Sequence, residues 1–257
     1  MPNIHPTAIV ANPDKIPSST TIGPYAIIED DVVIGAEVMI DSHVSVKAGA
    51  RIGDGTKIYH GAAIAGPPQD LKFAGEKTEL VIGKNCTIRE FVTLNRGTAA
   101  HGKTEIGDNC LFMAYSHAAH DCIIGSNVIL ANTAEMGGHV EIGDWAIIGG
   151  GTVIHQFSHI GEHAMVGGGF RVTQDVIPYS MVAGYPLKCM GLNSIGLSRR
   201  GFSDDTIAKL KKAYRFLMSK KLNTSEALAK IEAEIEMVPE VKRVVDFIRA
   251  GERGVVK

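Results

Sequence analysis

The chain has 257 residues, with 26 lysines and arginines against 28 aspartates and glutamates, so its formal net charge at neutral pH is −2. This length allows one or two domains with a substantial buried core. The near-neutral balance argues against a globally basic nucleic-acid binder. No apolar run is long enough to cross a membrane, and the first residues, MPNIHPTAIVANPD, lack the layout of a signal peptide. We therefore expect a cytoplasmic protein with no nucleic-acid partner.

A mostly aliphatic residue recurs at every sixth position of the chain. The first block of this series runs from Ile4 to Ile64, and the longest runs from Ile106 to Val172. Four residues after each repeated position the side chain is small or β-branched, as at Cys110 and Ser116. A period of six fits neither an α-helix nor a simple alternating strand. It predicts short strands joined by turns in a three-sided coil, with both kinds of side chain pointing inward.

Glycine often follows the repeated position directly, as at Gly107, Gly125 and Gly143. We interpret these glycines as corners that need unusual φ and ψ angles. Successive coils should stack at the spacing of β-strands, about 4.8 Å, each coil bonding to the next.

The four cysteines are Cys86, Cys110, Cys122 and Cys189. Three of them occupy the small inward position, and none belongs to a Cys-x-x-Cys pair. Reduced core thiols are therefore favoured over a metal site or a catalytic thiol.

The repeat lapses twice, at about residues 66–80 and 95–105, where charged, glycine-rich and proline-rich segments predict loops extruded from the coil. After Val172 the spacing decays and the composition changes, and helices are predicted from Ser203, near Thr224 and after Pro239. We thus predict a mainly β chain. Residues 1–190 form a β-helix, and residues 191–257 form a helical domain that covers its open edge.

A column of polar residues lies along one side of the predicted coil. Because its turns repeat every eighteen residues, Gly138 falls one coil after His120, and Gln156 falls one coil further. His139 and His155 belong to the same group. A lone histidine on such a coil is more often a solvated surface residue than a catalyst.

Asp121 directly follows His120 in this column. Imidazoles with nearby carboxylates suit general-base catalysis near neutral pH, which favours a catalytic role for the group. The first extruded loop carries Gln69, Asp70 and Lys72 close together. The residues alone leave two interpretations of this loop: it contacts the substrate, or it is a solvated charged loop.

Five motifs, QDLK, HAAHDC, GGHV, HQF and NSIGLSRRGF, precede a helical C-terminus. Together they resemble the UDP-N-acetylglucosamine O-acyltransferases, which catalyse the first step of lipid A synthesis in Gram-negative bacteria. The resemblance covers essentially the whole chain. It implies a left-handed parallel β-helix and a homotrimer with its sites between subunits. It also implies transfer of a 3-hydroxyacyl chain from acyl carrier protein to the glucosamine 3-hydroxyl of UDP-N-acetylglucosamine. No metal and no cofactor are expected, since acyl carrier protein carries the donor on its phosphopantetheine.

The resemblance further implies roles for single residues. His120 would be the general base, Asp121 would orient it, and the Gly138 N–H would stabilise the oxyanion. Contacts to the sugar, the phosphates or the acyl chain are expected at Gln69, Asp70, Lys72, His117, His139, His155 and Gln156. Asn193, Arg199 and Arg200 would hold the UDP part. Ile195 stands where the family often has glutamate, so the nucleoside contact there should differ.

Gly168 falls where the family has its chain-length ruler. Because it has no side chain to block an acyl groove, we expect a donor of about fourteen carbons or more. The segment from Arg199 to Lys221 carries eight cationic residues against Asp204 and Asp205. A solvated helix face is the ordinary interpretation of such a run. Because acyl carrier protein is strongly acidic, we favour Lys211, Lys212 and Arg215 as part of its docking surface.

Three rival interpretations remain. A zinc hydrolyase of the γ-carbonic anhydrase kind also uses histidines on a trimeric β-helix, since imidazoles bind zinc. The related N-acyltransferase shares the coil but carries an additional N-terminal domain. A non-catalytic scaffold would show a regular threonine array, which this sequence lacks.

Overall fold

The computed structural model describes all residues, Met1–Lys257. The protein is mainly β, a left-handed parallel β-helix with helices at its C-terminal end. The strands of the first half are β1 (Asn3–Ile4), β2 (Ile9–Val10), β3 (Thr21–Ile22), β4 (Ile27–Ile28), β5 (Val33–Ile34), β6 (Met39–Ile40), β7 (Ser45–Val46), β8 (Ala50–Ile52), β9 (Lys57–Ile58), β10 (Ala63–Gly66), β11 (Glu79–Ile82), β12 (Thr87–Ile88) and β13 (Thr93–Asn95). Those of the second half are β14 (Lys103–Ile106), β15 (Leu111–Phe112), β16 (His117–Ala118), β17 (Ile123–Ile124), β18 (Ile129–Leu130), β19 (Glu135–Met136), β20 (Glu141–Ile142), β21 (Ile147–Ile148), β22 (Val153–Ile154), β23 (His159–Ile160), β24 (Met165–Val166), β25 (Arg171–Val172), β26 (Ser180–Ala183) and β27 (Lys188–Leu192).

These strands form the three sides of the coil. Sheet A has the order β1-β3-β6-β9-β12-β15-β18-β21-β24-β26-β27, sheet B the order β2-β4-β7-β10-β13-β16-β19-β22-β25, and sheet C the order β23-β20-β17-β14-β11-β8-β5. Within the regular coils, paired residues are eighteen positions apart, as where Ile124 pairs with Ile142 and Ile142 with Ile160. The predicted coil length is therefore confirmed.

The interior of the coil is filled as the repeat predicts. Phe112 and Met136 occupy repeated positions and are buried, and so are Cys110, Cys122 and Ala134 at the small positions. The cysteines are free thiols, and burial raises the pKa of Cys122 to about 12. A thiol with such a pKa is a poor nucleophile at neutral pH, so the expectation of a core role is confirmed for Cys122.

The corners differ from the prediction. The left-handed backbone conformation lies three residues after the repeated position, with φ of 57° at Asn109 and 59° at both Asp121 and His139. Gly107 directly follows that position and has no positive φ. A Cβ atom on Gly107 would lie 2.7 Å from the carbonyl carbon of Gly125. Glycine is thus needed there because successive coils approach closely, and our interpretation from unusual angles was wrong.

The chain leaves the coil twice, between β10 and β11 and between β13 and β14. The two excursions pack on each other. The backbone N–H of Ala99 donates to Glu76 Oε1 at 3.1 Å, and the Arg96 guanidinium lies over the Phe73 ring at 5.4 Å. Both excursions leave at the edge between sheets B and C, so they can supply side chains to that edge.

The C-terminal end of the coil is covered by an antiparallel strand, β27, and by four helices. These are α1 (Ser194–Arg199), α2 (Asp204–Leu217), α3 (Thr224–Glu234) and α4 (Pro239–Ala250). Ser203 caps α2 as predicted, Asn223 and Glu226 form a capping box on α3, and α1 was not anticipated. None of the helices has the length and apolar character needed to cross a membrane.

Candidate active site

One edge of the coil, between sheets B and C, gathers most of the predicted catalytic and substrate residues. We call this edge the histidine corner and define it as His120–Asp121, Gly138–His139 and His155–Phe157. These residues follow β16, β19 and β22, which are neighbours in sheet B. The repeat thus brings residues eighteen positions apart into a single column, as the sequence predicted.

His120 and Asp121 form a hydrogen-bonded pair. His120 Nδ1 lies 2.8 Å from Asp121 Oδ2. Because an ionised carboxylate only accepts hydrogen bonds, Nδ1 carries the proton in this contact. The other ring nitrogen, Nε2, then keeps its lone pair, and His120 can accept a proton there.

The second excursion fixes the carboxylate of Asp121, which is only 1% exposed. The Thr98 N–H donates to Oδ1 at 2.9 Å, and the Thr98 hydroxyl donates to Oδ2 at 2.7 Å. Thr104 Oγ1 accepts the Asp121 backbone N–H at 2.8 Å. Burial opposes ionisation, but the hydrogen bonds from Thr98 and His120 outweigh it and hold the pKa of Asp121 below its usual value. Asp121 is therefore a fixed negative charge behind His120.

Gly138 lies directly against the His120 ring. A Cβ atom at this position would be 2.6 Å from His120 Cε1 and 2.8 Å from Nε2, so only glycine fits without moving the ring. The Gly138 N–H has no hydrogen-bond acceptor in the protein. An unused donor thus lies next to a side chain that can accept a proton.

His139 occupies the left-handed corner position beside this pair. Its ring stacks on Phe157 with centroids 4.6 Å apart, and the rings of His120 and His101 meet it edge-on at 5.3 and 5.1 Å. Burial lowers the pKa of His139, while the charges of Asp121 and, more weakly, Asp70 act in the opposite direction. His139 is therefore favoured in its neutral form near pH 7.

Two further predicted histidines lie close by. His117 is in β16 and faces outward from sheet B, where its Nδ1 is 2.7 Å from Thr93 Oγ1. Burial lowers the pKa of His117. His155 Nδ1 is 2.9 Å from the Gln156 carbonyl oxygen and 3.2 Å from Nη2 of Arg253.

The first excursion contributes less within a single chain. Asp70 Oδ1 accepts the Lys72 N–H at 2.9 Å, which shapes the local turn. Gln69, Leu71 and Lys72 are exposed, and neither Gln69 nor Lys72 makes a side-chain hydrogen bond. These side chains project away from the coil.

The nucleotide residues predicted from the resemblance lie at a different corner, between sheets C and A. Arg200 is 5.4 Å from the centroid of the Trp145 ring and 3.5 Å from His163 Nδ1, and burial lowers its pKa. Arg199 and Ile195 are exposed. The single chain therefore does not bring these residues to the histidine corner.

Asn193 is the N-cap of α1, a role that sequence reasoning did not foresee. Its Oδ1 accepts the Gly196 N–H at 3.2 Å, and its Nδ2 donates to the His163 carbonyl oxygen at 3.1 Å. The side chain is almost fully buried. In the isolated chain it thus positions α1 and the arginines that follow.

Gly168 lies at the third corner, between sheets A and B, and is exposed. It occupies the second turn position after β24, as Gly138 does after β19. A Cβ atom on Gly168 would be 2.9 Å from the Gly150 carbonyl oxygen, so a side chain needs the neighbouring turn to shift.

The cationic residues of α2 are partly neutralised by acids that the fold brings to them. Lys212 Nζ donates to the Glu234 carbonyl oxygen at 2.7 Å and is 3.8 Å from its carboxylate. Lys209 pairs with Asp205 and Glu236 at 2.6 and 2.7 Å. Lys211 and Arg215 are exposed and line a groove of about 560 Å³ beside β27. The cationic excess counted along residues 199–221 is therefore partly offset on the folded surface by Glu234 and Glu236.

Several residues that contact the histidine corner were missed by sequence reasoning. Thr98 and His101 belong to the second excursion and Thr104 to β14, and all three lie in the segment predicted only as a loop. The interruption of the six-residue period in this segment was the sequence signal that could have pointed to these residues. The sequence carried no such signal for Arg253, because the C-terminal tail follows four helices and its return to the coil cannot be inferred from a repeat.

A parallel β-helix of hexapeptide repeats, a histidine–aspartate pair and an open N–H beside it define a hexapeptide-repeat acyltransferase. Residues 103–138 match the family model for bacterial transferase hexapeptides, six repeats, and residues 175–256 match that for the second domain of UDP N-acetylglucosamine O-acyltransferase.

Curated relatives give the particular family. The chain is 47% identical over 258 residues to the acyl-acyl carrier protein–UDP-N-acetylglucosamine O-acyltransferase of Thermodesulfovibrio yellowstonii, with 100% of both chains covered. It is 43% identical to that of Thiobacillus denitrificans, again over 100% of both. LpxA from Acinetobacter baumannii superposes with a TM-score of 0.95 at 42% identity, covering 99% of each chain. The chain therefore belongs to the UDP-N-acetylglucosamine O-acyltransferase family.

Proposed function

We propose that this chain transfers a 3-hydroxyacyl group from acyl carrier protein to the glucosamine 3-hydroxyl of UDP-N-acetylglucosamine, with His120 as general base. Family membership supports the reaction and both substrates. The observation that carries the mechanism is the contact of His120 with Asp121 on one side and Gly138 on the other. No cofactor is needed beyond the phosphopantetheine of the donor, and we expect the enzyme in the cytoplasm.

The proton balance follows from the tautomer of His120. Nε2 accepts the proton of the 3-hydroxyl as the oxygen attacks the thioester carbonyl carbon. The Gly138 N–H donates to the oxyanion that forms, a contribution of about 3 kcal/mol for a typical donor of this kind. The C–S bond then breaks, and the thiolate takes the proton from His120. Asp121 stabilises the imidazolium between these steps.

We also propose that the complete site forms between copies of the chain in a homotrimer. Two features support this. Arg200 and Gly168 lie at other corners than His120, so one chain cannot present all three to one substrate. The tip of the first excursion carries an exposed leucine, Leu71, between the exposed Gln69 and Lys72. A neighbouring copy would give these side chains, with Asp70, a surface to contact.

Gly168 is the proposed chain-length residue, for a donor of about fourteen carbons or more. A side chain at this position would narrow an adjacent groove, and the close carbonyl of Gly150 limits how far it could move aside. Gly168→Met should shift the preferred donor to a shorter chain. A wild-type preference for a ten-carbon over a fourteen-carbon donor would contradict the proposal.

Lys211, Lys212 and Arg215 are proposed as part of the surface that receives acyl carrier protein. Lys211 and Arg215 carry the stronger case because Lys212 already contacts Glu234. Reversing Lys211 and Arg215 to glutamate should raise the KM for the acyl carrier protein donor and leave the KM for the nucleotide sugar unchanged. An unchanged donor KM would argue against this surface.

The decisive experiment measures acyl transfer from a panel of 3-hydroxyacyl-acyl carrier proteins to UDP-N-acetylglucosamine, with wild type and His120→Ala. We expect transfer by the wild type and its near-abolition in the variant, with circular dichroism and oligomeric state unchanged. His159→Ala, a histidine on the outer face of sheet C, is the matched control and should retain activity. Folded wild type without activity on this acceptor would next be tested on the 3-amino analogue of the sugar.

A zinc site is the second candidate, because ligand-type atoms of His120, Asp121 and His139 lie within 4.8 Å of one another. The hydrogen bonds favour the acyltransferase: both Asp121 oxygens already accept bonds from Thr98. Elemental analysis of the purified protein separates the two. Stoichiometric zinc, with activity lost on its removal, would support the hydrolyase class.

A further inference from the structure

Arg253 lies against the histidine corner although it is near the end of the chain. Its Nη2 is 3.2 Å from His155 Nδ1 and 3.4 Å from the Thr173 carbonyl oxygen. Its Nε is buried and has no hydrogen-bond acceptor. The guanidinium is thus held close to a predicted substrate-binding histidine.

The tail that carries Arg253 is anchored directly after this residue. The Asp175 N–H donates to the Gly254 carbonyl oxygen at 3.0 Å, and the Val256 N–H donates to the Asp175 carbonyl oxygen at 2.9 Å. Val256 is buried in the core of the coil. Asp175 bridges to Val255, and Val176 bridges to Ile160 of β23, so the tail continues the ladder of sheet C and the β-helix fixes the position of Arg253.

His155 Nδ1 faces two groups with opposite requirements. The Gln156 carbonyl oxygen, 2.9 Å away, can only accept a hydrogen bond, whereas the Arg253 guanidinium can only donate one. A single ring nitrogen cannot satisfy both. With a proton on Nδ1 the ring bonds to Gln156; without it the ring bonds to Arg253. The other nitrogen, Nε2, has no partner in the protein, and it carries the proton only in the second case.

We propose that Arg253 is a positioning residue that keeps Nδ1 of His155 unprotonated and its proton on Nε2. His155 then presents an N–H donor at the histidine corner, so the substrate group that it contacts is an oxygen acceptor, a carbonyl or a phosphate oxygen. Removing Arg253 lets Nδ1–H bond to Gln156 and turns Nε2 into an acceptor. This inference rests on the proposed function, in which His155 contacts substrate.

The tautomer can be measured without activity. In protein labelled with ¹⁵N-histidine, the ring signals of His155 are identified by their loss in His155→Gln. We expect an unprotonated Nδ1 and a protonated Nε2 at pH 8, and the reverse in Arg253→Met. A proton on Nδ1 in the wild type would overturn the inference, and so would an unchanged tautomer in Arg253→Met.

The kinetic test is a double-mutant cycle. Arg253→Met should raise the KM of one substrate roughly tenfold, the effect of losing one hydrogen bond, with a much smaller change in kcat. Arg253→Lys, which keeps a donor, should restore most of the loss. In the His155→Gln background, where an amide donor replaces Nε2–H and no Nδ1 exists, Arg253→Met should change KM less than twofold. A rise in the KM of the nucleotide sugar would place the oxygen that His155 contacts on that substrate. A rise in the KM of the acyl donor would place it on the thioester carbonyl or the phosphate of the carrier arm.

Controls distinguish other roles of Arg253. Arg249→Met removes an arginine that pairs with Glu232 on the helices and should leave both KM values unchanged. An equal effect of Arg253→Met in both backgrounds, or none in either, would overturn the inference. A wild type inactive with both substrates would refute the proposed function, while the ¹⁵N measurement would still decide the tautomer.

Discussion

The histidine corner and the corner between sheets C and A repeat the same turn but treat its second residue differently. Between sheets C and A, the Asp108 N–H donates to Ser126 Oγ at 3.0 Å, and the Ser126 N–H donates to Asp144 Oδ1 at 2.8 Å. Each donor is satisfied by the side chain one coil further on. At the histidine corner, the Gly138 N–H has no acceptor, although Gln156 occupies the equivalent position.

The difference shows how a repetitive fold can acquire a catalytic site. Each turn offers an N–H at its second position, and a short acceptor one coil further satisfies it. At Gly138 the residue one coil further is Gln156, whose longer side chain does not accept the N–H, so the donor stays open. The β-helix therefore provides oxyanion donors at many turns, and the choice of side chain decides which one is available.

Among changes that leave His120 in place, closing the open donor should have the largest effect. Gln156→Asp places a short carboxylate one coil after Gly138, in the register in which Asp144 caps Ser126. Asp144 and Gln156 lie at matching positions relative to the coil before them. A Cβ atom on Gly125 would be 2.8 Å from the backbone nitrogen of Asp144, and a Cβ atom on Gly137 would be 2.9 Å from the backbone nitrogen of Gln156. We expect kcat to fall about a hundredfold, as when an oxyanion donor is lost, while stability is kept or slightly increased. Acyl transfer and urea unfolding measure the two effects.

Two variants at the same position serve as controls. Gln156→Ala removes any substrate contact of the glutamine without capping Gly138. Gln156→Glu adds the same charge on a side chain one methylene longer. Both should retain clearly more activity than Gln156→Asp. Equal losses in all three would mean that Gln156 matters through its own contacts and that the open N–H does not.

Thr98→Val should have the next largest effect, because it weakens the support behind His120. The change removes the hydroxyl bond to Asp121 Oδ2 and keeps the backbone bond to Oδ1. We expect kcat to fall about tenfold, since a hydrogen bond to a charged group is lost. The pKa of Asp121 should rise, because that bond lowers it. The loss of activity that follows protonation of Asp121 should therefore begin at higher pH.

Thr98→Ser restores the hydroxyl and should recover both kcat and the pH profile. Substrate KM values should hardly change in either variant, since Thr98 is buried behind the dyad. A Thr98→Val enzyme that keeps its kcat and its activity at low pH would show that Asp121 needs no such support.

The regular part of the fold could be predicted from the sequence, because one physical constraint repeats along it. Each six-residue repeat must bury one large and one small side chain, so the period gives the strands and the stacking of His120, Gly138 and Gln156. The role of the corner glycines was misjudged because their requirement is contact with the next coil. That contact, unlike a backbone angle, is not a property of a single turn.

The supports of the site could not be predicted in the same way. Thr98 reaches Asp121 from an excursion whose conformation depends on contacts with the other excursion, such as that between Glu76 and Ala99. Arg253 depends on the tail returning to the coil after α4. Neither follows a period, so sequence spacing carries no information about where these side chains meet the column.

The smallest effect is expected at the corner between sheets C and A, at the turn of Asp108, whose N–H is satisfied within the chain. Ser126→Ala removes the acceptor of the Asp108 N–H. Because this bond is exposed and water can replace serine, the loss should lower the free energy of unfolding by about 0.5–1 kcal/mol. Acyl transfer should be unchanged, since the Ser126 hydroxyl only accepts the Asp108 N–H and contacts none of the proposed site residues by hydrogen bonding. Urea unfolding and the transfer assay on the same preparation test both statements. A lower kcat with unchanged stability would mean that this capped turn also takes part in the reaction, and the contrast between the capped and open turns would no longer separate structure from catalysis.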